Sequence, residues 1–176
     1  MGSRYSDRSD VRPFTCHPNC AGRRFLAQAE SLLTAELKKP TITTIQGLAI
    51  LGPLYVAMGE DAAGWLHHGM AIQLALDMGM NLDSTVLNGS ERFPPEEIEL
   101  RRQIYWALYC DNKFWSSYTG RVCNMLDSNA SVNLPAFPQA NRDGNTRRLA
   151  VDALHYVLCT HGQILENIHL NMSVIN

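Results

Sequence analysis

The feature that most constrains the fold is the longest stretch of the chain without glycine or proline, which lies between Pro95 and Gly120. Its apolar residues recur at helical spacing. Pro94 and Pro95 suit the first turn of a helix, and Gly120 suits its end. Glutamates follow the prolines, where the positive end of a helix dipole favours negative charge. The stretch therefore predicts one long helix.

The periodicity predicts which face of this helix is buried. That face consists of Leu100, Ile104, Ala107, Leu108, Asp111, Phe114, Trp115 and Tyr118. A buried carboxylate without a partner is costly, so Asp111 is expected to be protonated or to be reached by a cation or by several N–H groups. The nearest candidate is Arg121, and we expect an ion pair that joins the helix to the following loop. The other candidate cations are Arg101, Arg102 and Lys113.

Four further segments have helical spacing, and they are residues 23–38, about 44–59, about 62–78, and 146–175. No segment alternates with period two for long enough to predict a strand. We therefore predict an all-α fold, a bundle or array of about five helices that is a fragment of a larger all-α domain.

Local signals refine the helix ends. Thr43 and Gln46 form a capping-box pattern that starts the second helix near residue 44. Pro53 lies inside this helix, where we expect a kink or a break. The third helix is apolar nearly all round and rich in small residues, which is typical of a central helix. Gly79 followed by Met80 predicts a Schellman ending for it.

The last helix is amphipathic, and its predicted buried face is Leu154, Val157, Leu158, His161, Ile164, Leu165 and Ile168. It reaches Ile175 without a cap, so we expect it to continue in a larger protein. Residues 1–21 are polar and are predicted to form a poorly ordered tail. Residues 22–176 are predicted to form one domain that is truncated at its C-terminus.

Composition excludes several classes of function. The net charge of −2 argues against a nucleic-acid footprint in this chain, because backbone binding needs a clustered positive field. No apolar run approaches membrane-spanning length, and the N-terminus lacks the apolar core of a signal peptide. Five cysteines at irregular spacing favour a reducing intracellular compartment.

No pattern predicts a catalytic centre or a metal site. His67 and His68 are adjacent, and no histidine or acid follows at the next helical turn, so core or interface histidines are favoured. Cys16, His17 and Cys20 form a lone pair of cysteines around a histidine, which is a weak zinc signal without a second pair. Phosphate loops, nucleophile elbows and HExxH runs are absent from the sequence.

Three segments together resemble the fungal-specific transcription factor domain, the regulatory middle homology region of zinc binuclear-cluster transcription factors. They are RRFLAQAESLL…KPTITTIQGLAIL, GWLHHGMAIQLALDMGMNLD and ERFPPEEIELRRQIYWALYCDNKFWSSYTGR, within about residues 22–135. The most specific parts are the GMAIQLALDMGMN helix and a set that we call the signature residues. These are Glu99, Arg101, Arg102, Trp106, Asp111, Gly120 and Arg121.

The chain departs from the family pattern at a few positions. Gln103 and Asn112 stand where the family often has basic residues, and Tyr105 stands where it tends to have a tryptophan. Pro53 interrupts a helix that the family usually leaves smooth, and Val122 replaces a common proline. The fold is expected to tolerate these changes, whereas the ion-pair geometry around Asp111 is the part that they affect.

The resemblance implies a regulatory domain of a nuclear fungal transcription factor, without catalysis or a cofactor of its own. It implies that the signature residues stabilise the fold by tying the long helix to its neighbours. DNA and zinc would be bound only through a separate six-cysteine cluster, which this chain lacks. A protein partner, a second copy of the chain or a small-molecule inducer are the expected partners, and a membrane is not.

Two alternatives remain. LGPLYVAMG matches one helix of a tetratricopeptide repeat, which would make the chain a protein–protein interaction scaffold. A helical enzyme fragment would instead place His67, His68 and Asp111 around a pocket.

Overall fold

The computed structural model describes residues 22–83, 93–135 and 146–173. Within these ranges the chain forms α-helices and one short 3₁₀ turn, and no strand. The helices are α1 (Arg23–Glu36), α2 (Ile42–Ala57), α3 (Asp61–Asp77), α4 (Pro95–Thr119) and α5 (Thr146–Ser173), and the turn is Asp127–Asn129. The predicted all-α fold is confirmed. The predicted tail, residues 1–21, lies outside the described ranges, as does the Cys16–Cys20 pattern.

The chain divides into two compact units, Met1–Leu74 and Ala75–Asn176. The first contains α1, α2 and most of α3. The second contains the end of α3 with α4 and α5. Each unit has its own packing, and the candidate site lies within the second.

One hydrophobic cluster of the first unit lies between α1 and α2. Leu26, Leu51 and Tyr55 are buried together, and the Tyr55 hydroxyl donates a hydrogen bond to the Glu30 carboxylate. The flanking apolar side chains are Ala29, Leu33, Leu54, Met58 and Ala63. An open apolar cleft of about 430 Å³ lies between the same two helices. A single face of α1 therefore anchors it to α2.

The start of α2 differs from the prediction by two residues. Thr41 is the N-cap, with extended backbone, and its N–H donates to the Thr44 hydroxyl at 3.0 Å. The capping box is thus built from Thr41 and Thr44 rather than from Thr43 and Gln46. Threonine at either position carries the same capping signal, and the backbone conformation decided between them.

Of the kink or break predicted at Pro53, the break does not occur, because α2 continues to Ala57. Proline removes one helical hydrogen bond, which is a local cost that burial of the helix can outweigh. The neighbouring Gly52 is buried where α2 comes close to α3. A β-carbon on Gly52 would lie 3.2 Å from the carbonyl oxygen of Gly64 and 3.3 Å from Cβ of His68. The helix is therefore held at a point of close backbone approach.

The ends of α3 and α4 are the predicted ones. Gly79 has a φ of 68°, and the Met80 N–H donates to the Ala75 carbonyl at 2.9 Å, which confirms the Schellman ending. α4 begins at Pro95 and is terminated by Gly120 at a φ of 67°. These signals act within one turn of backbone, so they can be recognised from the local sequence.

The predicted buried face of α4 is wrong in part. Ile104 and Leu108 are buried as expected, whereas Leu100, Phe114 and Tyr118 are exposed. The buried residues of the helix are Ile104, Tyr105, Trp106, Leu108, Tyr109, Cys110, Asn112, Lys113 and Ser116. This face is rotated because α5 packs along Tyr109 and because the chain after Gly120 folds back over polar residues of α4.

The predicted buried face of α5 is wrong in large part, and only Leu158 and Leu165 of it are half-buried. Leu154, Val157, Ile164 and Ile168 are exposed, and the buried residues are instead Cys159, Gly162 and Glu166. Gly162 is the contact point, because a β-carbon there would lie 3.0 Å from Cε1 of Tyr109. A glycine and a glutamate replace the aliphatic stripe as the contact face, so amphipathicity pointed to the opposite side.

Candidate functional site

A buried ion pair lies at the centre of the second unit. The Lys113 ammonium on α4 lies 2.7 Å from the Glu166 carboxylate on α5, and their side chains are 0% and 7% exposed. The Tyr109 hydroxyl donates to the same carboxylate at 2.7 Å. The Asp127 N–H donates to both carboxylate oxygens, at 3.0 and 3.1 Å. Lys113 also donates to the Met125 carbonyl. We call these five groups the buried ion-pair cluster.

The cluster is electrostatically self-contained. Burial by itself would raise the pKa of Glu166, but the hydrogen bonds from Lys113 and Tyr109 outweigh it, so the pKa is lowered. Burial and the hydrogen bond to Glu166 raise the pKa of Tyr109, which keeps the phenol protonated as a donor. The Lys113 ammonium also lies 4.6 Å from the centroid of the Tyr109 ring. Each charge is matched, so the cluster joins α4, α5 and the intervening loop.

Asn112 fixes the same loop from the neighbouring position of α4. Its side-chain oxygen accepts hydrogen bonds from the backbone N–H groups of Asn124, at 3.1 Å, and Met125, at 3.2 Å. Asn112 and its neighbour Lys113 are polar, yet both are fully buried. Their side chains supply hydrogen-bond partners to the backbone of a loop that has no regular structure of its own.

A second polar group joins the start of α4 to the segments around it. Asp83 is buried, and its carboxylate accepts from the Asn133 amide at 2.7 Å and lies 3.7 Å from the Arg102 guanidinium. The Asp83 N–H donates to the Ser131 hydroxyl at 2.9 Å. Arg102 also pairs with Glu99 at 3.1 Å. Arg102 therefore bridges the buried Asp83 and the exposed Glu99.

Arg101 makes contacts on the other side of the same helical turn. It pairs with Glu97 at 3.0 Å and donates to the Met78 carbonyl at 3.1 Å, in the turn that follows α3. Its guanidinium lies 4.0 Å from the centre of the Phe93 ring, which is a cation–π arrangement. A small pocket of about 110 Å³ lies beside these groups. The guanidinium of Arg101 is therefore already bound by other groups of the protein.

Trp106 links α4 to the segment before residue 135. Its indole N–H donates to the Asn133 carbonyl at 2.9 Å. The ring packs edge-on against Tyr105 and Tyr109, with centroids 5.6 and 5.1 Å away. Edge-to-face packing and a satisfied indole are what a buried tryptophan needs. The contacts of Trp106 within α4 and to Asn133 are therefore packing contacts.

Asp111 does not join these groups. Among the described residues no ion pair includes its carboxylate, so the expected pair with Arg121 finds no support. Burial raises the pKa of Asp111 to about 6. Of the states expected for Asp111, a carboxyl that is easily protonated is the one that its burial favours.

Sequence reasoning missed Glu166 and Asp83 and named Lys113 only as a partner for Asp111. Among the described residues of the second unit, these three have the most deeply buried charges. No local signal marks them, because their partners lie up to 57 positions away along the chain. The sequence offered one weak hint. Asn112 occupies the position where the family usually has a basic residue, and Lys113 follows one position later.

The histidines of α3 are buried or bonded to backbone. His67 Nδ1 lies 2.7 Å from the Ala63 carbonyl oxygen, and burial lowers the pKa of His68 to about 4. No group of three metal-ligating side chains occurs among the residues that the structure describes. In the same ranges no helix is long and apolar enough to cross a membrane.

Comparison with known proteins shows similarity to transcription factors. The sequence profile of the fungal specific transcription factor domain matches residues 1–165. The nitrogen assimilation transcription factor nirA of Emericella nidulans is 30% identical over 135 residues, which cover 76% of this chain and 15% of that protein. The nitrogen assimilation transcription factor nit-4 of Neurospora crassa is 35% identical over 118 residues, 66% of this chain and 10% of that protein.

A third relative is the TY1 enhancer activator of Saccharomyces cerevisiae, 31% identical over 104 residues, which cover 57% of this chain and 14% of that protein. The chain thus spans 10 to 15% of the length of these three relatives. No solved structure matches the chain. The tetratricopeptide alternative has no support among these similarities.

Proposed function

Because this chain belongs to the family of fungal specific transcription factor domains, it contributes to transcription regulation, and we propose that it is a regulatory domain without catalytic activity. In this proposal it acts in the nucleus, and it controls a DNA-binding module that belongs to another part of a longer protein. Zinc and DNA would be bound by that module. The names of nirA, nit-4 and the TY1 enhancer activator support the regulatory role.

The observation that carries the non-catalytic part of the proposal is how the polar groups of α4 are used. Arg101, Arg102 and Trp106 bind protein carboxylates, carbonyls or rings. Lys113 and Glu166 neutralise each other out of contact with solvent. A catalytic centre needs polar groups that are aimed at an open position where a substrate can sit. These groups are already satisfied by protein, which supports the proposal that the signature residues hold the fold.

Regulation would then depend on the packing of α4 against α5 and the loop between them. A domain with two alternative packings responds to a partner or inducer that binds one packing more tightly. The buried ion-pair cluster is the joint between these elements, so changing it would shift that balance. An inducer, a protein partner or a second copy of the chain could supply the differential binding.

The test is a reporter assay in which the full chain is inserted between a heterologous DNA-binding module and an activation domain. We expect insertion to change reporter output by about fivefold or more, the lower range of typical coupling between sites. Glu166→Gln should then shift output at equal protein abundance. Leu170→Gln, at an exposed position of the same helix, is the matched control and should not. Unchanged output on insertion of the chain would contradict the regulatory role.

A further inference from the structure

A thiol, an imidazole and a hydroxyl lie in a hydrogen-bonded row at the edge of the second unit. Cys123 Sγ lies 3.3 Å from Nδ1 of His169, and His169 Nε2 lies 3.1 Å from Oγ of Ser117. The three come from the loop after α4, from α5 and from α4. Cys123 and His169 are partly exposed and Ser117 is exposed, so small molecules can reach the row.

The hydrogen bonds fit the tautomer of His169 that carries its proton on Nε2. The Ser117 hydroxyl donates to the Lys113 carbonyl at 2.8 Å, so its oxygen is left to accept from His169 Nε2–H. Nδ1 of the neutral imidazole is then an acceptor, and it faces the Cys123 thiol. This is the arrangement in which a base takes a proton from a nucleophile while a third group orients the base.

The other two described cysteines lack this combination. Cys110 and Cys159 lie with their sulfur atoms 3.8 Å apart, and both are buried. The hydrogen bond from Cys110 lowers the pKa of Cys159 to about 6, but its thiol has no exposed surface. A reactive thiol needs both activation and access. Cys123 is the described cysteine that has a neighbouring base and a path to solvent.

We propose that Cys123 is a covalent modification site for soft electrophiles of the α,β-unsaturated carbonyl class, with His169 as its base. The thiol proton passes to His169 Nδ1, and the sulfur forms a bond to the β-carbon of the electrophile. The π electrons of the C=C bond move toward the carbonyl as an enolate. The imidazolium then returns the proton to the α-carbon, which leaves a thioether without a leaving group or an oxidant. This proposal rests on the geometry of the row and not on the regulatory role.

The test measures the rate at which acrylamide, an α,β-unsaturated amide, alkylates each cysteine of the full chain, read by peptide mass spectrometry. At pH 7 we expect Cys123 to react faster than Cys110 and Cys159. His169→Gln removes the base but keeps a polar side chain, and should slow Cys123 by about tenfold or more. Ser117→Ala releases the imidazole from its fixed orientation and should slow Cys123 by a smaller factor.

Alkylation at pH 10 distinguishes whether His169 acts as a base or only shields Cys123 from solvent. Hydroxide in the solvent supplies the base at that pH, so the rates of the parent chain and His169→Gln should converge. If His169 merely shields the sulfur, its replacement would raise the rate at both pH values. Circular dichroism of each variant confirms that the helices remain. A faster His169→Gln variant, an equal rate at pH 7, or reaction of Cys159 ahead of Cys123 would each overturn the proposal.

Discussion

At the scale of single residues, the buried charges of the second unit determine how it responds to substitution. Lys113 has no exposed surface, and its countercharge is one carboxylate, Glu166. Removing either partner of such a pair leaves the other charge buried, whereas exposed pairs contribute little. The same helix also carries Asp111, which is half-buried and has no paired cation among the described residues. Substitutions at Glu166 and at Asp111 should therefore change the stability of the chain in opposite directions.

Glu166→Gln should destabilise the chain by about 3–5 kcal/mol, because the Lys113 ammonium loses its countercharge in a site closed to water. Urea denaturation followed by circular dichroism measures the change. Glu99→Gln, which removes an exposed partner of Arg102, is the matched control and should cost at most about 1 kcal/mol. Equal effects of the two substitutions would show that the buried ion-pair cluster does not stabilise the fold.

Asp111→Asn should stabilise the chain at pH 7.5 by about 1–3 kcal/mol. Burial raises the pKa of Asp111 to about 6, above the value of about 4 for an unfolded chain. The folded state therefore holds the proton more tightly, and its stability falls as pH rises from about 4 through 6. The difference between the two chains should vanish near pH 4. Denaturation midpoints at both pH values provide the measurement, and a destabilising effect at pH 7.5 would restore the ion pair with Arg121.

At the scale of elements, glycines mark where helices approach one another. Gly52 and Gly47 lie on the same helix, α2, but only Gly52 is in close contact with α3. A glycine inside a helix costs stability through backbone freedom, so replacing it with alanine helps where there is room. Where a neighbouring backbone is within reach of the new methyl group, overpacking reverses the sign.

Gly52→Ala should destabilise the chain by about 1–3 kcal/mol, because the methyl group would press on Gly64 and His68. Gly47→Ala is the matched control, since nothing lies within 4 Å of its β-carbon, and should stabilise by about 0.5–1 kcal/mol. Thermal unfolding of both variants gives the comparison. A shift of the same sign in both would mean that α2 and α3 are not in close contact at Gly52.

At the scale of the whole molecule, the unusual feature is the apolar face of α5 that stays exposed. Leu154, Val157, Ile164 and Ile168 are 58%, 44%, 55% and 47% exposed. They lie on one side of α5 and form an apolar patch in which the exposed His161 separates Leu154 and Val157 from Ile164 and Ile168. Patches of this kind promote association of isolated chains.

Replacing Leu154 and Ile164 by glutamine should reduce association of the isolated chain without lowering its stability. The substituted side chains are exposed and make no part of the cores described above. Light scattering against protein concentration, together with binding of a hydrophobic dye, measures the effect. The control is the same pair of changes at the buried positions Leu48 and Leu108, which should unfold the chain. Unchanged dye binding in the exposed double variant would show that the α5 patch is covered.

The sequence by itself determined the all-α fold, the ends of α3 and α4 and the family. Gly79, Gly120 and the two prolines before α4 act through the backbone of a single turn, so their meaning does not depend on distant residues. The tertiary structure decided which helix faces are buried. Lys113 and Asn112 are polar and lie off the predicted buried face of α4, yet a loop and α5 cover them with matching groups. Burial depends on partners far along the chain, and amphipathicity alone cannot identify a face that is stabilised by an ion pair and a glycine.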